Sequence, residues 1–237
     1  MIRQLSFLFF LLLAQNAFGQ KVSAELLKNV LYQLEIDEDK CFMTLVSSLE
    51  IPNDETIVVI PEIEESGEET AVLNSHILIV NTSTGNIKSS FYKQNAWYTD
   101  AIRINRIEIS YQPFKLNSTS QSIAITIGYE GISRINLIGI EELSLYERNG
   151  AEINLLLENF PSYRFIGEND GIGNGEYEEH QKKIEPSSGL TNGYYNLVVK
   201  DSVRIFQTKD GDEKIIEKRL ETEILKFQNG EYRSEKN

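Results

Sequence analysis

From about residue 40 onward, apolar side chains recur at every second position, the period of a strand with one buried face. Ile107, Ile109 and Tyr111 alternate with Glu108 and Ser110, and Ile123, Ile125, Ile127 and Tyr129 alternate with Ala124, Thr126 and Gly128. Ile57-Val58-Val59-Ile60, ended by Pro61, and His76-Ile77-Leu78-Ile79-Val80 read as strands buried on both faces. The acidic stretch 62–70 between them reads as a solvated loop. Thr82-Ser83-Thr84-Gly85 joins the second run to residues 87–92 as a hairpin. Asn149-Gly150, Asp210-Gly211 and Asn229-Gly230 each stand between apolar alternating segments. Such pairs tolerate the positive φ that a two-residue hairpin turn demands. The pattern predicts an all-β, antiparallel fold, a sandwich of two sheets. A small β-propeller is the alternative, weakened because the Ile79–Gly85 segment does not recur at a blade period of roughly 40 residues.

One stretch has the helical period. Leu26, Leu27, Val30, Leu31 and Leu34 fall on one face behind Ser23, a residue suited to the N-cap, predicting a helix over about residues 23–35. An apolar stripe of this kind closes the end of a β core or, as a second reading, docks a partner.

The first nineteen residues follow a third pattern. Arg3 supplies a positive charge, residues 5–13 are apolar except for Ser6, and Ala17-Phe18-Gly19 offers small residues for cleavage. That order is the order of a secretory signal peptide. The apolar run is about nine residues, against the roughly 20 needed for a membrane-spanning helix. Gln20, not cysteine, follows the cleavage site, so the sequence predicts an exported, unanchored chain, periplasmic or extracellular, with residues 20–237 as a single β domain.

The net charge is −13, from 36 acidic against 23 basic residues. Such a surface repels phosphate backbones and anionic lipid, which sets nucleic-acid binding aside. Cys41 is the sole cysteine, so no internal disulfide can form, and its apolar neighbours mark it as a buried structural thiol.

Candidate chemistry is sparse. His76 heads an apolar strand and His180 follows Glu178-Glu179; neither accompanies a nucleophile in a recognisable elbow. Glu168, Asp170 and Glu176, in a glycine-rich segment, are the oxygen donors best placed for calcium, although Ile172 breaks the EF-hand pattern. Trp97 and Tyr98 are the candidate ligand-binding aromatics, with burial of Trp97 as the competing reading.

Several segments taken together resemble a group of uncharacterised exported proteins of Gram-negative bacteria. They are Asn95-Ala96-Trp97 with Asp100-Ala101-Ile102, Tyr129-Glu130-Gly131-Ile132-Ser133-Arg134, Gly167-Glu168 with Gly175-Glu176-Tyr177, Thr191-Asn192-Gly193-Tyr194-Tyr195, and Leu225-Lys226-Phe227. The resemblance carries no activity. It does imply a contact: the group has cysteines near positions 173 and 213, where this chain has Gly173 and Glu213, so the 167–177 loop is expected against the 209–213 turn. Bridged positions would lie within about 7 Å. The function expected is that of a non-catalytic binding or structural module of the cell envelope, meeting a protein or saccharide partner without a resident cofactor. The alternative is a secreted hydrolase with a carboxylate site, possible only with two acids converging, and calcium-dependent if Glu168, Asp170 and Glu176 gather a cation.

Overall fold

The structure, a computed structural model, describes residues 22–120 and 122–234. The segment read as a signal peptide, residues 1–19, lies outside the described residues. Helix α1 (Ala24–Leu34) begins where the Ser23 hydroxyl accepts the Leu26 N–H at 3.1 Å, and ends at Glu35, which is left-handed with φ 58°. The cap satisfies one of the amides that a helix start leaves free.

Among the described residues twelve strands follow: β1 (Ser47–Ile51), β2 (Glu55–Ser66), β3 (Ala71–Asn81), β4 (Ile87–Thr99), β5 (Ile102–Tyr111), β6 (Ser122–Gly131), β7 (Asn136–Asn149), β8 (Glu152–Asn169), β9 (Gly175–Thr191), β10 (Tyr194–Lys209), β11 (Asp212–Gln228) and β12 (Glu231–Ser234). Neighbours in sequence pair antiparallel, except that β4 hands over to β8 through one parallel bridge, Ser90 to Glu152. The result is an open, sandwich-like all-β fold with a short N-terminal helix, and the propeller alternative gives way to it.

Three apolar cores separate the layers. Leu26, Leu27, Val30 and Leu31 of α1 pack on Val58, Ile60, Leu78 and Val80, so the helix stripe serves its own β core. The opposite face of β2 and β3, with Ile57, Val59, Ile77 and Ile79, meets Ile123, Ile125 and Ile127 of β6. The other side of β6–β8, with Ala124, Leu143, Leu145 and Leu156, meets Ile184, Leu197, Val199, Leu225 and Tyr232 from β9–β12. Cys41 is buried beside α1, and burial, with Glu62 next, pushes its thiol up to about 11.

Residues 62–66 were expected in a loop, yet β2 continues through Pro61 to Ser66. The proline is tolerated because β1 pairs only with residues 55–59, leaving Pro61 on an edge. Its carbonyl accepts the Phe42 N–H at 2.8 Å. β8 and β9 likewise reach further than alternation alone indicates, enclosing only a short turn at 170–174.

Beyond the cores, β5–β11 continue as one sheet. None of the three cores contains a residue of 162–183 or 200–222.

Candidate functional site

Register places a long row of side chains across one face of this projecting sheet. Glu130 opposes Gly139, Gly139 opposes Phe165, Phe165 opposes Glu179, and Glu179 opposes Arg204. Directly opposed residues share a face. The adjacent row on that face runs Gly128, Glu141, Tyr163, Gln181 and Ser202, with Arg106 opposite Gly128. The next row, toward the turns, runs Gly167, Tyr177 and Phe206.

Glycines make room for the rings. A Cβ on Gly167 would collide with the Tyr177 ring, which lies across it. Phe165, Tyr177 and Phe206 stack in sequence, with centroids 5.6 and 5.0 Å apart, and the Arg204 guanidinium lies over Phe206 at 4.4 Å. Arg204 also pairs with Glu179 at 2.9 Å and with Glu213 at 3.0 Å. The Tyr163 hydroxyl donates to Glu179 at 3.2 Å; burial, then the Glu179 charge, raise its pKa. Arg106 bridges Glu108 and Glu141.

Between these groups lies a shallow concavity of about 680 Å³, lined by Arg106, Glu130, Gly139, Glu141, Tyr163 and Phe165 among others. That volume is within the range of small-molecule sites. Aromatic faces stand beside fixed donors and acceptors, an arrangement that grips a ligand having both apolar faces and hydroxyl edges.

The reverse face carries His180. Its Nδ1 lies 2.9 Å from Asp201 and its Nε2 lies 2.8 Å from Glu178. Two carboxylates call for two N–H donors, which only the imidazolium has. Burial opposes that charge, but the hydrogen bonds to Asp201 and Glu178 outweigh it and raise the pKa above 6.5. His76 Nε2 meets Glu62 at 2.8 Å, and Asn74 donates to Glu62 and Glu64. The hydrogen bonds of both imidazoles thus go to carboxylates. Glu142 is half-buried, and burial raises its pKa against a hydrogen bond with Tyr129. The Tyr129 ring packs against the core of Ile123, Ile125 and Ile127, on the face of β6 opposite Gly128 and Glu130.

The residues singled out from sequence are dispersed. Trp97 is 6% exposed within the core between β2–β4 and β5–β6, so it forms no surface platform; Tyr98, at 52%, faces outward beside it. Trp97 stands opposite the fully buried Leu73, which explains that correction. Glu168 opposes Glu176 across β8 and β9. Asp170 instead accepts from the backbone of Ile172 and Asn174 and from the Asn174 amide, which lowers its pKa. Among the described residues, no three His, Cys, Asp or Glu side chains gather in a way that could hold a metal ion. The expected contact of loop and turn is present: the Asp210 N–H donates to Asn174 at 2.7 Å, and the Thr208 hydroxyl to the Gly173 carbonyl at 2.5 Å.

Tyr163, Phe165, Tyr177 and Arg204 were missed in the sequence. The available signal was the alternation Tyr163, Phe165, Gly167, an aromatic pair ending in glycine on one face of a strand. Among the described residues, no helix is long and apolar enough to cross a membrane. No family model matches the chain, and comparison with curated proteins and with solved structures gives no significant match.

Proposed function

We propose that the chain is an exported, non-catalytic binding module of the cell envelope, and that its ligand is a saccharide held in the concavity of the projecting sheet. The observation that carries this reading is the pairing of Tyr163 and Phe165 with the Arg106, Glu130 and Glu141 groups around a 680 Å³ hollow. Sugar rings present polarised C–H faces to aromatic rings and hydroxyls to carboxylates and guanidinium. The charges are already partnered, so little ordering cost accompanies binding. The acidic chain favours neutral saccharides over anionic ones.

Binding of the purified chain to soluble fragments of envelope glycan, measured by calorimetry with product analysis, tests this reading. Binding without cleavage, reduced at least ~10-fold by Tyr163→Ala, supports the module. Bond cleavage contradicts the non-catalytic module, and no heat with any fragment removes the saccharide.

A further inference from the structure

A second hollow, of about 410 Å³, lies where the layers part around one edge of β8. β8 meets β4 only at the Ser90–Glu152 bridge and meets β9 only from Tyr163 onward. Among the described residues, no strand pairs with the edge of residues 153–162 that faces away from β7. On the side toward β2–β4 the hollow is lined by Ile153, Leu155 and Phe91, which pack with the first core. On the side toward β9–β12 it is lined by Glu147, Tyr194 and Phe227. The chain leaves the hollow at Gly230 along β12, which runs to Ser234 beside Leu225.

The rings of this lining are held by other rings. Tyr194 and Phe227 stack with centroids 3.9 Å apart, and Tyr232 meets both edge-on. Phe91 meets Tyr146 edge-on at 5.2 Å. Among the described residues, Glu147 brings the one charge to the lining. Its carboxylate accepts from the Asn117 amide at 3.0 Å and from the Tyr194 hydroxyl at 2.5 Å. Burial, then the hydrogen bond and charge of Glu147, push the Tyr194 hydroxyl up to about 12, so it stays a neutral donor. Both donors are therefore neutral. Glu55, Glu141 and Glu179 each have an arginine partner, whereas Glu147 has no ion pair among the described residues. Each carboxylate oxygen has two lone pairs, so acceptor capacity remains after these two bonds.

The chemistry of the lining selects the occupant. A carboxylate without a counter-charge, beside aromatic faces, attracts an organic cation through both the charge and the ring quadrupoles. The net charge of −13 raises the concentration of cations near the surface. A hard metal ion needs several oxygen ligands, and this lining has a single carboxylate. A neutral or anionic ligand leaves the Glu147 charge uncompensated.

We propose that this hollow binds a small organic ammonium carrying a hydrocarbon group. The nitrogen lies against Glu147 and the rings of Tyr194 and Phe227, and the hydrocarbon crosses the β8 edge toward Leu155 and Phe91. The hollow shares no lining residue with the concavity of the projecting sheet, so the proposal does not depend on what binds there.

Titration of the full chain with phenethylammonium chloride, followed by amide NMR shifts, tests this. Saturable shifts are expected at residues 153–156, 194–195 and 227–230. Phenethyl alcohol, with the same ring and chain but no charge, should bind at least ~10-fold more weakly. Glu147→Gln should abolish that preference, and Phe227→Leu should weaken the ammonium about threefold or more. Tyr163→Ala, in the other concavity, should leave ammonium binding unchanged. The comparison of ammonium with alcohol on the unmodified chain stands whether or not the variants fold. Equal affinity for the two probes overturns the proposal, as does a preference that survives Glu147→Gln. So do shifts that spread over the acidic surface without saturating, or that miss residues 153–156 and 194–195.

Discussion

Val59 and Val203 are both at the centre of a strand and both almost inaccessible, at 0% and 1% exposure, yet different neighbours cover them. Val59 belongs to an apolar core closed by another layer of sheet, β5–β7. Val203 has His180 and Arg219 opposite it on the flanking strands, and the ion pairs of its own face shield it. The layered body therefore draws its stability from apolar area removed from water. The projecting sheet is held laterally, by strand pairing, ring stacking over glycine and partnered charges. This leaves its faces open to a ligand.

Truncation in the two regions should separate them most widely. Ile77→Ala, in the core between β2–β3 and β6, is expected to cost about 3–4 kcal/mol by denaturant titration. Leu220→Ala, at an exposed position on β11, should fall within about 0.5 kcal/mol. Equal losses would abolish the distinction.

Glycine substitutions sharpen it within the projecting sheet. Gly167→Ala must displace the Tyr177 ring and break the stack, at a cost of about 1–3 kcal/mol. Gly139→Ala meets only ordinary contacts, at 3.7 and 3.8 Å, so thermal melting should change little. The added methyl still intrudes on the concavity and should weaken a ligand bound there.

Acid and base should discriminate the regions with opposite signs. Glu55 ties β2 to Lys88 on β4 and Arg148 on β7. Burial raises its pKa, but the Lys88 and Arg148 hydrogen bonds win and hold it below 4.5. Its contribution is therefore complete above pH 4.5 and is lost as the pH falls through the folded value. Glu55→Gln should cost about 1–3 kcal/mol at neutral pH and remove that acid dependence. His180 titrates above 6.5, so its contribution is complete below pH 6.5 and is lost as the pH rises through the folded value. His180→Gln should remove a smaller effect, on the order of 0.5–1 kcal/mol, visible as a flatter stability profile on the alkaline side.

The same division explains what could be read from the chain. In the body one strand face is buried, so Ile123, Ile125 and Ile127 announce both strand and core. The turns were legible too: both residues of Asp210-Gly211 and of Asn229-Gly230 have positive φ, although at Asn149-Gly150 only the glycine does. In the projecting sheet neither face requires apolar residues. His180-Gln181-Lys182-Lys183 forms strand without alternation, which hid most of β8 and β9 and with them Tyr163, Phe165 and Tyr177. The concavity depends on register across β5–β8, where residues remote in sequence meet, so no local pattern specifies it. Trp97 shows the converse: its type suggested a platform, while its place opposite Leu73 put it in the core.

Amide hydrogen exchange measures the division between layered body and laterally held sheet most directly. Amides of residues 57–60, 77–80 and 123–127 should exchange only through global unfolding, while those of residues 212–223 exchange through smaller openings at least ~10-fold faster. Uniform protection across both sets would contradict the account.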